Sequence, residues 1–388
     1  MVSMVWHLCV CATLASPLPE VLIKKAPPLP APAGRAVTVA DVPSLARAVR
    51  EAQDGDTILV QPGTYRLDSL LRLDGVRDVT IRGATDDPAD AVLLGKGFEV
   101  VDDQDDILRI GHCERTTIAS LTFEDCHSYG IKVEGENEPS DTRITNCRFR
   151  NIGMRAIKGS ASETCTVRGG SVVYCDFAND KIPGADWLFE GDYIAGIDMM
   201  ALDGWTFADN VFRDIRGRNG GGRAAIFLWV RSRHVVVERN LIIGCDRGIA
   251  FGNPSMSTAS AAGEVHMTNA ICRNNAILPG PDAGIELAWV RGARVLNNTI
   301  WRADSGGRGI RCIAPVTETL IANNLVRGAF EFTPAVIAEG NVQGELADIF
   351  LAPDSGDLRL TRSSGAGNGV EASCGAGWGV IVASSCSQ

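Results

Sequence analysis

The chain has 388 residues, of which 45% are apolar and 22% charged, and its formal net charge is −10. This length and apolar content exclude a disordered chain and allow a large core. The 42 glycines and only 4 tyrosines favour a fold of many turns and small stacked layers over a helical bundle. The negative charge argues against nucleic acid as a partner, and an acidic polysaccharide could bind only at a local cluster of basic groups.

The first residues predict a protein that works outside the cytoplasm. Residues 1–15 carry an apolar run ending before Ser16 and Pro17, which resembles a short signal peptide and is too short to span a membrane. The Pro/Ala-rich residues 16–37 are predicted to form an extended linker. We expect a secreted, periplasmic or cell-surface protein without a transmembrane segment.

A dipeptide of Gly or Ala followed by Ile recurs along the chain, each time after a second apolar segment whose central residue we call the anchor. The dipeptides are Gly130-Ile131, Ala156-Ile157, Gly196-Ile197, Ala225-Ile226, Gly248-Ile249, Gly284-Ile285 and Gly309-Ile310. The predicted anchors are Phe123, Phe149, Val172, Phe212, Ile242, Ile277 and Ile300.

Asparagine recurs two residues before many anchor positions. It tolerates the left-handed backbone of a sharp bend, and stacked amides can hydrogen-bond between coils. A coil of about 23 residues with such a ladder indicates a solenoid. We therefore predict an all-β fold, a single-stranded right-handed parallel β-helix of about ten coils over residues 38–360, with an N-terminal capping helix and a C-terminal cap or tail at 361–388. The ladder residues are Asn210, Asn240, Asn275, Asn298 and Asn324.

The cysteines follow the same repeat. Cys126, Cys175 and Cys245 lie three residues after predicted anchors, and Cys312 lies two residues after Ile310. We predict that they face the core, where cysteine behaves as a small hydrophobic residue. In the tail, Cys374 and Cys386 are expected to be free to pair with each other.

From about residue 54 to 360, the chain resembles the pectate-lyase-like superfamily of right-handed β-helix proteins, in its polysaccharide lyase and epimerase-like branch. The resemblance is carried by LARAV at 45–49, DGDTI at 54–58 and PGTY at 62–65, which match that superfamily's capping helix, first strand and turn. The tail segment DLRLTRSSGAGNGV, at 357–370, is similar to its closing segment.

If the repeated isoleucines point inward, the residue after each one faces solvent, because alternate side chains of a strand face opposite sides. These residues should form a column with rungs about 4.8 Å apart. The Gly or Ala two positions earlier is expected to leave a shallow trough in which a sugar chain could lie. The column comprises Lys132, Lys158, Asp198, Phe227, Ala250, Glu286 and Arg311.

Lys158 and Asp198 are neighbours in this column, so the carboxylate would hold and tune the ammonium group. A simple surface ion pair is the alternative. Insertions at residues 176–193 and 216–223 leave the coil just before the column strands, and long loops on one edge of a solenoid commonly build a binding site.

Basic and aromatic side chains flank the column. Arginines that lie two or three residues before an Ile could capture carboxylates, or could simply solvate a turn. Two tryptophans could stack on sugar rings or pack under the loops. We predict Lys158, Asp198, Arg155 and Arg247 as catalytic residues, and Arg223, Trp229, Trp187, Lys132, Glu286, Arg308 and Arg311 as substrate-binding residues.

A lyase acting on a uronate must neutralise the carboxylate, remove the adjacent carbon-bound proton and protonate the leaving oxygen. The resemblance implies that Lys or Arg does this work, in some members with calcium. On that resemblance Lys158 would be the base, and Arg155 or Arg247 would neutralise the carboxylate. We therefore expect a monomeric polysaccharide lyase that cleaves a uronate-containing glycan by β-elimination.

Other functions stay open. A glycoside hydrolase needs two carboxyl groups about 5 Å apart, or about 6.5 to 9.5 Å apart. Asp246 and Asp282 on adjacent rungs could meet this, whereas Asp198 and Glu286, roughly 14 Å apart, could not. The chain does not carry the full set of Asn-Thr-Asp, Asp-Asp and Gly-His-Gly motifs that marks the superfamily's polygalacturonases. Asp246 and Asp282 could instead bind calcium. A C5-epimerase and a non-catalytic glycan-binding surface protein are the remaining alternatives.

Overall fold

The repeat coils into a solenoid in the computed structural model, which describes residues 24–101, 106–254, 265–344, 346–355, 357–361, 370–372 and 381–383. Each coil contributes one short strand in turn to the first, second and third of three long parallel sheets. From residue 167 onward, a two-residue strand of a fourth sheet precedes the return to the first sheet in six successive coils. Such parallel crossovers are right-handed. The predicted right-handed parallel β-helix is confirmed.

The strands are short, and their bounds are as follows. The first sheet contains Ala36–Val39, Thr57–Val60, Thr80–Gly83, Thr117–Ala119, Thr142–Thr145, Gly170–Val173, Thr206–Ala208, Val236–Glu238, Ile271–Arg273, Arg294–Leu296, Thr319–Ala322 and Val336–Glu339. The second contains Gly63–Arg66, Ala91–Gly97, Thr122–Cys126, Arg148–Ile152, Asp176–Ala178, Val211–Arg213, Leu241–Ile243, Ala276–Leu278, Thr299–Trp301, Leu325–Arg327 and Val342–Gln343. The third contains Leu71–Asp74, Leu108–Gly111, Tyr129–Glu134, Arg155–Ser160, Ala195–Met200, Ala224–Trp229, Ile249–Phe251, Ile285–Leu287, Arg308–Cys312 and Ala329–Glu331. The fourth contains Val167–Arg168, Leu202–Asp203, Ser232–Arg233, Met267–Thr268, Val290–Arg291 and Val316–Thr317.

In the described residues, few other elements accompany the solenoid. Two antiparallel pairs follow it there, Phe350–Ala352 with Asp357–Leu360 and Val370–Ala372 with Ile381–Ala383. The 3₁₀ turns of the same residues are Gly135–Asn137, Leu188–Gly191, Ala347–Ile349 and Pro353–Ser355. No helix in the described part of the chain is long and apolar enough to cross a bilayer.

The helix Val42–Arg50 caps the N-terminal end of the solenoid. It begins with a capping box, in which the Asp41 carboxylate accepts a 2.7 Å hydrogen bond from the Ser44 amide and the Ser44 hydroxyl accepts one from the Asp41 amide. Leu45 and Val49 are buried against the first coils. The helix therefore shields the open end of the core, as predicted from the sequence.

The asparagine ladder runs along the bend between the first and second sheets. Each side-chain amide donates to the side-chain oxygen of the next asparagine, over 2.8 to 3.0 Å, from Asn210 to Asn341. The left-handed backbone belongs to the residue before each ladder member, such as Asn274 with φ of 56°. In the Asn-Asn pairs, the first residue therefore makes the bend and the second forms the ladder.

A row of stacked phenylalanines fills the core beside the second sheet. Phe123, Phe149, Phe177 and Phe212 stack with ring centroids 5.2, 4.7 and 4.4 Å apart. The prediction of Val172 as the third anchor is wrong, because that residue lies in a strand of the first sheet. Phe177 is the anchor in that coil, since it pairs with Phe149 on one side and Phe212 on the other.

The cysteines of the repeat are unpaired thiols, and most are buried. Cys126, Cys175 and Cys245 are at most 1% exposed, and Cys312 is partly buried against the core. Burial raises the pKa of the Cys245 thiol well above its usual range. The predicted core role is confirmed for the three buried residues. Cys374, Cys386 and residues 1–15 lie outside the described residues.

The glycines of the Gly-Ile dipeptides pack inward. Gly196 is buried, and a Cβ there would lie 2.8 Å from the Phe212 ring and 2.6 Å from the Ala225 carbonyl oxygen. Glycine is needed because the chain approaches the core too closely for a side chain. The expected sugar trough beside the column is therefore wrong.

The segment before the first strand lies along the solenoid. Lys24 Nζ lies 2.6 Å from Asp209 Oδ1, and Arg82 donates a 3.3 Å hydrogen bond to the Pro30 carbonyl oxygen. Residues 24–29 line one side of a cavity of about 510 Å³ at the bend between the first and second sheets. This segment thus contacts the coil on the side of the asparagine ladder.

Candidate active site on the third sheet

The third sheet aligns the predicted column residue by residue. Lys132, Lys158 and Asp198 are register partners on successive strands, and Glu286 pairs with Arg311. These side chains share one outer flank, with rungs about 4.8 Å apart. The expectation that the column faces open solvent is wrong, because Asp198 and Glu286 are buried and Lys158 is only 6% exposed.

Asp198 is the centre of a buried ion cluster. Its Oδ2 accepts a 2.6 Å hydrogen bond from Arg155 Nε and lies 3.1 Å from Lys158 Nζ, while its Oδ1 accepts a 3.0 Å bond from Trp229 Nε1. Burial alone would raise the pKa of this carboxyl. The charges of Lys158 and Arg155 outweigh it and lower the pKa of Asp198 to about 2. The carboxylate is therefore ionised at every physiological pH.

The first insertion folds over this cluster. It occupies residues 179–194, because the predicted first residues, Asp176–Ala178, form a strand of the second sheet. Arg155 donates a 2.5 Å hydrogen bond to the Tyr193 carbonyl oxygen, and its guanidinium lies 3.7 Å from the Tyr193 ring centroid. Trp187 packs beneath the insertion, with its ring 4.0 Å from the ring of His127. Trp187 therefore anchors the first insertion to the coil instead of lying free on its surface.

Two carboxylates hold the second insertion, residues 216–223, in place, one from the first insertion and one from the following coil. Asp192 Oδ1 accepts a 2.9 Å hydrogen bond from the Asn219 amide. Asp246 Oδ2 accepts hydrogen bonds from the Gly217 and Gly222 amides, at 2.7 and 2.9 Å. Burial raises the pKa of Asp246 despite these bonds. The two predicted insertions thus meet over the third sheet.

Arg223 lies where the second insertion rejoins the sheet, and its guanidinium has no carboxylate partner in the described part of the chain. It lies 4.7 Å from the ring centroid of Phe189, which is 61% exposed, and its side chain donates no hydrogen bond to any described residue. Burial and the charges of Arg155 and Arg247 lower its pKa. Arg223 is thus a partly buried cation with free donors, held near two further cations.

A second ion cluster lies farther along the same flank. Arg247 Nε lies 2.9 Å from Asp282 Oδ2, and its Nη1 lies 3.0 Å from Glu286 Oε1. Arg311 donates a 2.8 Å hydrogen bond to Glu286 and lies 3.1 Å from Asp282 Oδ1, and the half-exposed Arg308 lies 3.7 Å from that oxygen. The predicted basic patch is therefore largely neutralised at this end.

The carboxylates suggested for calcium are engaged elsewhere. Asp246 holds backbone amides of the second insertion, and Asp282 holds arginines. The charges of Arg247 and Arg311 outweigh burial and lower the pKa of Asp282. Across the described residues, no group of three or more His, Cys, Asp or Glu side chains is placed to hold a metal ion.

Lys132 and Trp229 are predicted binding residues that keep part of their surface exposed. Lys132 forms no ion pair or hydrogen bond with any described side chain. Trp229 stacks on Phe227 and on His266, with ring centroids 5.3 and 5.7 Å away. These two residues mark the accessible border of the cluster around Asp198.

Tyr129 and Tyr193 were not predicted as site residues. Tyr129 is the register partner of Arg155, and burial raises its pKa to about 12. The charges of Arg155 and Asp198 act on the same phenol. The sequence did hold a signal, because Tyr129 lies two residues before Ile131, in the repeat position that holds Arg155 in the next coil.

The solved structures similar to this chain include glycan-cleaving and glycan-bound proteins. A pectate lyase is 15% identical, with 85% of this chain and 90% of that one covered at a TM-score of 0.58. A mannuronic acid specific polysaccharide family 6 lyase from human gut microbiota is 16% identical, with 82% and 85% covered at 0.54. The tailspike protein of E. coli bacteriophage HK620, in complex with a pentasaccharide, is 13% identical, with 82% and 60% covered at 0.55. At these identities, the likeness establishes the fold alone.

No curated protein sequence matches the chain significantly. Residues 106–326 match the family model described as "Right handed beta helix region", which is more than half of the chain. The matched segment contains the strands that carry the Asp198 cluster and both insertions. The chain belongs to the right-handed beta helix family.

Proposed function

We propose that this protein is a polysaccharide lyase that cleaves a uronate-containing glycan by β-elimination outside the cytoplasm. The observation that carries the proposal is a local surplus of positive charge. Arg155, Lys158, Lys132 and Arg223 lie around the carboxylate of Asp198, on a chain whose net charge is −10. Such a cluster is what an acidic polymer needs in order to bind an acidic protein.

Arg223 is suited to neutralise the substrate carboxylate. A guanidinium can bind a carboxylate through two parallel hydrogen bonds. Arg155 and Arg247 already have carboxylate partners, whereas the donors of Arg223 are uncommitted among the described residues. The like charges nearby make an incoming anion more favourable. This assignment replaces Arg155 or Arg247 in the neutralising role.

Lys132 is suited to remove the proton next to that carboxylate. The base must reach the substrate within hydrogen-bond distance. Lys158 Nζ lies 3.1 Å from the ionised Asp198 and is only 6% exposed, whereas Lys132, on the neighbouring rung, is partly exposed and forms no ion pair with a described residue. In this scheme, Arg155, Asp198 and Lys158 form the fixed support, and Lys132 carries out the proton transfer.

The contacts of the two ion clusters also bear on three alternative functions. A hydrolase would rely on Asp246 and Asp282, whose oxygens already bind amides and arginines. A C5-epimerase would share the proton abstraction without breaking the chain. A non-catalytic glycan-binding protein is favoured by the deep burial of Arg155 and Asp198, and the tailspike with its pentasaccharide has the same fold.

Product analysis on purified protein tests the proposal. A panel of polyuronates and neutral glycans would be incubated with the protein and followed by ultraviolet absorbance, reducing-end release and proton NMR. The lyase predicts absorbance from new unsaturated ends on a polyuronate only. Reducing ends without absorbance indicate a hydrolase, inverted C5 centres without cleavage an epimerase, and binding without any product a glycan-binding protein.

A further inference from the structure

We propose that Tyr129 is the general acid that protonates the leaving oxygen as the glycosidic bond breaks. This role rests on the proposed lyase function and deepens it. Proton delivery to the leaving group is the one step to which neither the sequence nor the ion cluster assigns a group. The observations that support Tyr129 are its register, its surroundings and its uncommitted hydroxyl.

The register of the strand Tyr129–Glu134 relates both proposed proton-transfer groups to the Asp198 cluster. Tyr129 is aligned with Arg155 and Lys132 with Lys158, and the side chains of Arg155 and Lys158 both reach Asp198. Tyr129 and Lys132 are three positions apart on one strand, so their Cα atoms are about 10 Å apart. A phenol and an amine so placed can address opposite sides of one bound sugar linkage.

The Tyr129 phenol is close to the ion cluster, and its hydroxyl has no hydrogen-bond partner among the described residues. The charges of Arg155, Asp106 and Asp198 all influence its titration. Its hydroxyl makes no hydrogen bond with a described residue, although the side chain is only partly exposed. A partly buried donor without a partner gains a hydrogen bond when a ligand oxygen arrives.

The protonation state of Tyr129 suits an acid rather than a base. Burial raises its pKa to about 12, so the phenol keeps its proton at neutral pH. A departing alkoxide is a stronger base than a phenolate and can take that proton. Tyr193 is a weaker candidate, because its ring already covers the Arg155 guanidinium.

The reaction balances without an additional reagent. Lys132 takes the proton from C5 of the uronate, the electron pair forms the C4–C5 double bond, and the bond from C4 to the leaving oxygen breaks. The Tyr129 hydroxyl gives its proton to that oxygen and becomes a phenolate. Water returns a proton to the phenolate, and the Lys132 ammonium releases one to solvent.

The test compares Tyr129→Phe with the wild-type protein on two substrates. One is the polyuronate cleaved by the wild type, and the other is a uronide bearing a nitrophenol at O4, a leaving group that needs no protonation. The matched control is Tyr174→Phe, which removes a partly exposed phenol at the bend between the first and second sheets. We expect Tyr129→Phe to lower kcat on the polyuronate by about 10²-fold or more, and to leave turnover of the nitrophenol substrate near wild type.

Two outcomes would overturn the role. Tyr129→Phe could cleave the polyuronate at the wild-type rate, or it could lose both substrates equally, as a merely structural residue would. Turnover of the nitrophenol substrate also shows that the variant is folded. A wild-type protein that forms unsaturated product from neither substrate would instead overturn the lyase function, and this role with it.

Discussion

Arg155 donates a 2.6 Å hydrogen bond to Asp198 although neither side chain is more than 1% exposed. Burying two charges is costly, and their attraction repays that cost only when the geometry is good and the remaining hydrogen bonds are made. Here Lys158 and Trp229 satisfy the rest of the carboxylate. The free energy of unfolding should therefore depend strongly on the charge of Asp198.

Removing the charge of Asp198 should destabilise the fold strongly. Asp198→Asn leaves two buried cations without their counter-ion, and breaking a buried pair in this way costs about 3 to 5 kcal/mol. Urea denaturation would measure it. The matched control is Asp203→Asn on the fourth sheet, where Arg233 and His234 are about half exposed and the expected loss is below about 1 kcal/mol. Equal losses in the two variants would contradict the account of the buried pair.

Acid should weaken the fold through the same carboxyl. The pKa of Asp198 is about 2 in the folded chain and about 3.9 when unfolded, so ionised Asp198 stabilises the fold above the unfolded value. The contribution, about 2 to 3 kcal/mol, is lost as the pH falls from about 4 through about 2. Unfolding free energies measured across this range would show a steeper acid loss in the wild type than in Asp198→Asn. Parallel pH profiles would argue against this contribution.

Substitutions of the adjacent residues Asn274 and Asn275 should affect stability differently, because only Asn275 belongs to the asparagine ladder. Asn275→Ala removes hydrogen bonds to Asn298, Asn240 and the Val237 carbonyl and leaves buried partners unsatisfied, each costing about 1 to 3 kcal/mol. Asn274→Gly keeps the left-handed backbone and removes a side chain that makes no hydrogen bond with described residues, so the expected change is within about 1 kcal/mol. Thermal or urea unfolding measures both. The reverse order would contradict the ladder.

The sequence predicted the solenoid well because each position of the repeat has the same packing requirement in every coil. The isoleucines, the ladder asparagines and Cys245 each occupy a position whose burial depends only on the coil above and below. The sequence predicts Val172 as an anchor because two apolar strands follow each other closely in that coil, and the pairing with Phe149 identifies Phe177 instead.

The state of the site was harder to predict, because it depends on contacts between distant segments. The alignment of Lys158 with Asp198 follows from the repeat. Arg155 in the same cluster also bonds the Tyr193 carbonyl of the first insertion, and the two insertions meet through Asp192 and Asn219. No local sequence pattern encodes these contacts. The sequence also does not show that Arg223 lacks a carboxylate partner among the described residues. That follows from the structure, in which Asp198 and Asp282 bind other cations.

Arg223 should govern binding of the anionic glycan. Arg223→Ala is expected to raise KM for a polyuronate by about tenfold or more, since a charge-assisted pair is worth about 1.5 to 3 kcal/mol. Arg218→Ala is the matched control, because Arg218 lies in the same insertion with its side chain exposed. Steady-state kinetics or calorimetric titration would compare them. An equal effect of both variants would indicate general charge attraction rather than a carboxylate site.

The most direct measurement is the rate of unsaturated-end formation by Lys132→Ala on a polyuronate cleaved by the wild type, with Lys25→Ala, on the exposed N-terminal segment, as control. The account predicts that Lys132→Ala loses at least about 10²-fold in kcat, as expected for loss of a general base, while Lys25→Ala keeps the wild-type rate. Ultraviolet absorbance growing at the wild-type rate with Lys132→Ala would contradict it.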